Sequence, residues 1–234
     1  MCWSETATIA ATAIGAGATA IAIARRDPAP IYLALGYFTG MEALQIAGYW
    51  VIDQCGTPGN RAVTWLSYLH IVFQPFFINA FAMTLAPAAL SPNVRRWVYA
   101  VCALSAAIML AQILPLAALG ACSPGFPLCG EAVCTRSGEW HLAWDVPYNG
   151  LLVPFEAALG TSFGFPSYLI AVFVLPLLYG AWRFVVFHVV AGPILASLLT
   201  DDPNEMPAIW CLFSVGLLLI ALSSRVRRVV TISA

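Results

Sequence analysis

The chain has 234 residues, of which 61% are hydrophobic and 9% charged, with a formal net charge of −1 and a mean hydropathy of +0.86. A soluble domain carries about a quarter charged residues, so the composition excludes an ordinary soluble globule and points to an all-α polytopic membrane protein. The small net charge, without a Gly-rich phosphate loop or a basic run, argues against nucleic acid or nucleotide partners. Lysine is absent, which excludes a retinal or pyridoxal phosphate Schiff base.

Residues 6–24 form the first apolar span, closed by Arg25-Arg26. The charges follow the run instead of preceding it, so this is expected to be a retained span and not a cleaved signal. The second span, 30–53, carries Glu42, Gln45, Tyr49 and Asp53 on one helical face. After a turn at Cys55-Gly56-Thr57-Pro58-Gly59-Asn60, the third span, 62–88, sets Ser67, His70 and Gln74 on one side. The fourth, 97–120, has few polar residues and leads into a Cys/Pro/Gly-rich loop, 121–138.

The densest polar stretch follows. If helical, it places His141, Asp145, Asn149 and Glu156 within an arc of about 80°. Lipid cannot satisfy such a stripe, so it must face protein, water or an ion. Pro147 also suits the first turn of a helix, which would leave His141 and Asp145 before it.

Two foldings fit the remainder. In the first, 140–164 lie outside the bilayer and 166–199 form a hairpin turning at Gly180-Ala181-Trp182-Arg183. In the second, 147–163 is a fifth span and 166–191 a sixth, broken at Gly192-Pro193. A span needs about 20 residues, which favours the second folding. Both end in a seventh span at 207–223. With the N-terminus outside, Arg25, Arg26, Arg95, Arg96, Arg225, Arg227 and Arg228 are cytoplasmic, while Arg61 and Arg136 are outside. This bias supports seven spans with N-out, C-in orientation in a single transmembrane domain, 1–234.

Cys2, Cys55, Cys122, Cys129, Cys134 and Cys211 all fall at or near the outer side, with Cys102 deeper in a helix. An oxidising compartment favours up to three disulfides over a thiolate metal site. Sequence does not fix the pairing; Cys129–Cys134 and Cys2–Cys55 are the expected arrangements.

The expected polar centre comprises Glu42, Gln45, Asp53, His70, Gln74, His141, Asp145, Asn149, Glu156 and Arg183. Arg183 is a candidate ion-pair partner for Glu156, Asp53 or Asp145. His70, His141 and His188 are candidate ligands for zinc or another transition metal, and two of them could act as axial ligands to haem, the weaker expectation. No H-E-x-x-H or H-x-x-x-H spacing is present. The bland alternatives are an interfacial His141 beside Trp140 and Trp144, an interhelical hydrogen bond for His70 and a structural His188.

Met1-Cys2-Trp3-Ser4, Met41-Glu42-Ala43-Leu44-Gln45, Asp53-Gln54-Cys55 and Tyr68 to Phe77 resemble an uncharacterised family of bacterial multi-spanning membrane proteins. Leu128-Cys129-Gly130-Glu131, Trp140-His141 with Trp144, and Pro207 to Cys211 extend the resemblance along the chain. It implies a bacterial inner membrane and no particular activity. In outline the chain is also similar to the seven-helix ceramidase and adiponectin-receptor hydrolases. Their zinc site needs a histidine pair on the last span, and no histidine follows His188 here.

Three functions therefore stay open. The first is transport or sensing of a small solute or ion along Glu42, Gln45, His70, Gln74 and Glu156. The second is a metal-dependent hydrolase acting on a lipid-like substrate. The third is a structural subunit or assembly factor of a membrane complex.

Overall fold

The computed structural model describes residues 4–86, 89–211, 213–223 and 226. The expectations for Cys2, Arg225, Arg227 and Arg228 concern residues outside that set.

Four long helices open the chain: α1 (Glu5–Ala24), α2 (Ala29–Trp50), α3 (Pro58–Met83) and α4 (Pro92–Gln112). Their starts are written in the sequence. The side chains of Ser4, Thr57 and Ser91 accept backbone N–H groups of the first turns of α1, α3 and α4. Pro58 and Pro92 occupy first-turn positions, where the missing N–H costs nothing. A two-stranded antiparallel hairpin follows, β1 (Cys134–Ser137) with β2 (Leu142–Asp145), pairing Cys134 with Asp145 and Ser137 with Leu142.

Beyond it come a short α5 (Val153–Leu159), then α6 (Pro166–Leu178) and α7 (Trp182–Leu199). A further short α8 (Met206–Trp210) precedes α9 (Phe213–Leu222). A π-helical turn interrupts α6 at Ile170–Val174 and α7 at Val190–Ile194. α1, α3, α4 and α7 are long and apolar enough to cross a membrane. α2 matches them in length but carries Glu42 and Gln45 on its buried side.

The hairpin caps one end of the bundle. Asn60, at the start of α3, donates to the carbonyls of Val51 (2.8 Å) and Thr135 (2.7 Å) and accepts the Thr135 N–H (3.0 Å). Thr64 and Thr135 share a buried hydroxyl hydrogen bond of 2.8 Å. A disulfide joins Cys55 to Cys134, and another joins Cys122 to Cys129. At the opposite end, the Arg25 guanidinium donates to the Leu222 carbonyl.

Deeper in the bundle, Asn79 ties α3 to α6. Its amide donates to the carbonyls of Pro75 (2.8 Å) and Ala171 (2.9 Å), and its oxygen accepts the Tyr179 hydroxyl (2.9 Å). Such a cross-link satisfies polar backbone that apolar neighbours cannot.

Several expectations are corrected. The stripe from His141 to Glu156 is not a helical face, because 142–145 pair as a strand whose side chains alternate. Helix 147–163 shrinks to Val153–Leu159. The backbone before it is committed to the cap: Asn149 N–H donates to Gln112 O (2.7 Å), and Gly150 N–H to Gly120 O (3.1 Å).

The run 166–199 follows the hairpin folding. Gly180 takes a φ of +91°, Ala181 N–H closes on Pro176 O at 2.9 Å, and α7 then continues through Gly192-Pro193 as a π turn. The run holds two helices because α6 is short, about 20 Å, and only residues 179–181 separate it from α7.

Neither expected disulfide arrangement occurs, since Cys55 and Cys129 have other partners. Cys102 and Cys211 are buried free thiols.

Candidate functional site

The hairpin turn is built on a carboxylate absent from the expected centre. Glu205, fully buried just before α8, accepts the backbone N–H of Glu139 (3.0 Å), Trp140 (2.7 Å) and His141, and the Thr200 hydroxyl (2.5 Å). Three successive backbone donors around one anion replace the water it has lost. A Cβ on Gly138 would come within 2.6 Å of the Glu205 carboxyl carbon, so only glycine leaves room for the acid.

The same turn sends the His141 ring down into the bundle. Its Nε2 lies 2.7 Å from Gln45 Oε1, and its Nδ1 lies 2.6 Å from the Tyr49 hydroxyl. Gln45 Nε2 donates to the Ala208 carbonyl at 3.4 Å, which orients the amide with its oxygen toward the ring. An amide oxygen only accepts, so His141 carries its proton on Nε2 and accepts from Tyr49 on Nδ1. Burial pushes its pKa down from 6.5 to about 3, and the ring is neutral. This arrangement locks α2, α8 and the cap together.

Two further acids also bind the cap. Asp53, at a φ of +61°, accepts the Ser137 N–H (2.8 Å) and hydroxyl (2.6 Å). Asp145 pairs with Arg136 at 3.0 Å and accepts the Asn204 amide at 2.6 Å, and Arg136 reaches Asp202 at 2.7 Å. The two carboxylates raise the pKa of the guanidinium further.

Asn149 donates to the Ala111 and Leu114 carbonyls, and Glu156 accepts the Gly164 N–H at 3.0 Å. Both close loops around the end of α4. Arg183 stands at the start of α7, away from the cap, with its guanidinium 5.4 Å from the centre of the Trp182 ring. It approaches neither Asp53 nor Asp145, because α7 runs opposite to the direction the single-helix folding requires.

The three histidines occupy separate environments. His70 on α3 stacks its ring on Tyr37 at 3.8 Å, and its buried Nε2 has no partner among the described residues. His188 on α7 accepts the Trp210 indole N–H at 3.1 Å. Among the described residues no three His, Cys, Asp or Glu side chains gather as a metal site. Glu42 is 3% exposed, and its Oε2 finds no hydrogen-bond partner among the described residues.

Beneath the cap, α3, α6, α7 and α8 line a partly open cavity of about 700 Å³. Met109, Phe165, Leu169, Phe173, Ile194 and Met206 make its wall mainly apolar, while Gln74, Tyr168, Trp210 and Cys211, with Ser162 and Ser197 at its exposed parts, bring polar atoms to it. Both π turns contribute, through Phe173 on one and Pro193 and Ile194 on the other. π turns widen a helix locally and recur at functional sites. Gln74 is the only member of the expected polar centre on this wall among the described residues.

Glu205, Asn79 and the cavity lie outside the expected centre. Glu205 ends the acidic stretch 201–205, which carries no local sign of a buried acceptor, and Asn79 lies among the apolar residues of α3. A signal for the cavity was available in Pro193, whose missing N–H disturbs α-helical bonding.

The fold is thus that of a mostly helical protein with, among the described residues, four helices fit to cross a membrane and an apolar cavity beneath its capped end. The model of a family of unknown function, DUF5765, matches residues 6–231, and the chain belongs to that family. No curated protein and no solved structure matches the chain.

Proposed function

We propose that this is an integral membrane protein that binds a small apolar molecule beneath its cap, as a sensor or carrier. The carrying observation is the cavity of about 700 Å³ between α3, α6, α7 and α8. Its size is within the range of small-molecule sites, and its few polar groups in an apolar wall are the usual composition of such sites.

In this reading the chain crosses the bilayer seven times, through α1, α2, α3, α4, α7, the pair α8–α9, and α6, which at about 20 Å is shorter than a span and reaches across together with the loop 160–165 before it. The capped end faces outward and the Arg25-Arg26 end inward. Two disulfides in the cap support an oxidising outer side, and the arginine bias supports the same orientation. The resemblance noted from the sequence supports a bacterial inner membrane as its location. Ion conduction is less favoured, because Gln45 is hydrogen-bonded to His141 and Glu156 to Gly164, far from a shared path.

Binding is tested by native mass spectrometry of the protein released from membrane nanodiscs. A bound apolar molecule retained by wild type and lost on Ile194→Trp, which fills the wall, is the expected result. Equal retention by both proteins overturns the reading. Orientation is tested by cysteine labelling in intact cells: a reporter cysteine at Glu131 should react with an impermeant maleimide, and one at Arg26 should not.

A further inference from the structure

The cavity wall is apolar, but its polar groups have a specific chemistry. Among the described residues that line it there is no Asp, Glu, Arg or His. A charged headgroup placed there would lose its hydration without a counter-ion, which is strongly unfavourable. An occupant held inside must be uncharged.

Gln74 is 6% exposed and lines the cavity. Its Oε1 is taken by the Tyr168 hydroxyl proton, while nothing among the described residues accepts from its Nε2 amide hydrogens. The Cys211 thiol, also on the wall, donates to the Pro207 carbonyl at 3.4 Å, so its proton is engaged. Ser162 and Ser197 on the wall are exposed; of its buried polar groups, the one left seeking a partner is a donor, and it calls for an oxygen acceptor on the ligand. Away from Gln74, Phe173, Pro193 and Ile194 offer only carbon, where a hydrocarbon chain fits. Gly125, Pro127, Ser162 and Pro203 bring the cavity to the loops of the capped end.

We infer that the cavity takes an uncharged amphiphile, with a hydroxyl or carbonyl oxygen at Gln74 and its hydrocarbon chain between the π turns of α6 and α7. This rests on the reading of the cavity as a ligand site. Gln74 is then a specificity-determining residue, holding the polar end through a hydrogen bond that Tyr168 pre-orients.

The test uses the full chain in nanodiscs, with empty nanodiscs as reference, and radiolabelled hexadecanol, hexadecanoate and hexadecane as probes at neutral pH. Hexadecanol should be retained best. Hexadecane should bind about fivefold more weakly, for want of one hydrogen bond, and hexadecanoate at least about tenfold more weakly, for its buried charge. Gln74→Leu should bring hexadecanol to the level of hexadecane while leaving hexadecane unchanged.

Should Gln74→Leu fail to fold, Tyr168→Phe, which releases the amide from its orienting partner, should narrow the same ratio. Hexadecanoate held as tightly as hexadecanol overturns the inference and leaves the cavity as a binding site. Hexadecane held as tightly as hexadecanol by wild type overturns the role of Gln74. Retention of none of the three probes overturns the reading of the cavity itself.

Discussion

The Glu205 carboxylate accepts the backbone N–H of His141, while the His141 ring reaches back to Gln45 on α2. One residue thus receives a hydrogen bond from the cap and simultaneously fixes the ring that plugs the cap into the bundle. Glu205→Ala would leave three backbone donors and the Thr200 hydroxyl without their acceptor. Hydrogen bonds to a charged group contribute about 1.5–3 kcal/mol each, so a loss of at least about 3 kcal/mol is expected. Thermal unfolding in detergent measures it, and a change below about 1 kcal/mol would falsify the structural role assigned to Glu205.

The ring of His141 makes the cap sensitive to acid. In the folded protein it takes its proton only near pH 3, whereas the ordinary value is 6.5. Between those values the unfolded chain holds more protons, so stability falls as pH falls through that window. Lowering the pH from 7 to 5 should cost wild type about 2 kcal/mol through this ring. His141→Gln, which has no titrating ring, should start less stable but lose less over the same range. Parallel pH dependences for the two proteins would remove His141 as the source.

Much of this fold can be read from residue order, and the reasons for the failures are physical. Ser-Pro and Thr-Pro mark the starts of α4 and α3 because capping and the missing proline N–H are local effects. The His141-to-Glu156 stripe misled because offsets that share a helical face say nothing when a strand is formed by partners at 134–137. Counting residues against a bilayer argues against a hairpin at 166–199, yet the hairpin fits because α6 is a short helix under a protein cap. Gln45, His141 and Asp145 belong to the expected polar centre and are all engaged. Tyr49 and Glu205 meet His141 across sequence separations of 92 and 64, which no local pattern reveals, and Arg136 meets Asp145 only once the hairpin forms.

The two disulfides should differ in their effect on stability. Cys55–Cys134 closes a loop with a sequence separation of 79, and Cys122–Cys129 one of 7. Loop-closure entropy gives about 4.5 kcal/mol for the longer and about 2 kcal/mol for the shorter. Cys55→Ser with Cys134→Ser should therefore lower the unfolding temperature more than Cys122→Ser with Cys129→Ser. The reverse order would show that the short bridge holds structure beyond its own loop.

Gly192 makes the last prediction, because it sits where α7 meets Trp210. A Cβ there would lie 2.3 Å from the Trp210 Nε1 and 2.7 Å from its Cδ1. That nitrogen donates to His188 at 3.1 Å, and the indole forms part of the cavity wall. In an open helix, glycine to alanine would gain about 1 kcal/mol from backbone propensity. Here the added methyl must push the indole away, which costs typically 1–3 kcal/mol for overpacking and stretches the bond to His188. The cost exceeds the gain, so Gly192→Ala should be destabilised by about 1 kcal/mol and Gly192→Leu by more. Because the displaced indole belongs to the cavity wall, retention of hexadecanol should fall in the same variants. A Gly192→Ala protein that unfolds at a higher temperature than wild type would mean that Trp210 has room to move, and that the wall near it is not closely packed.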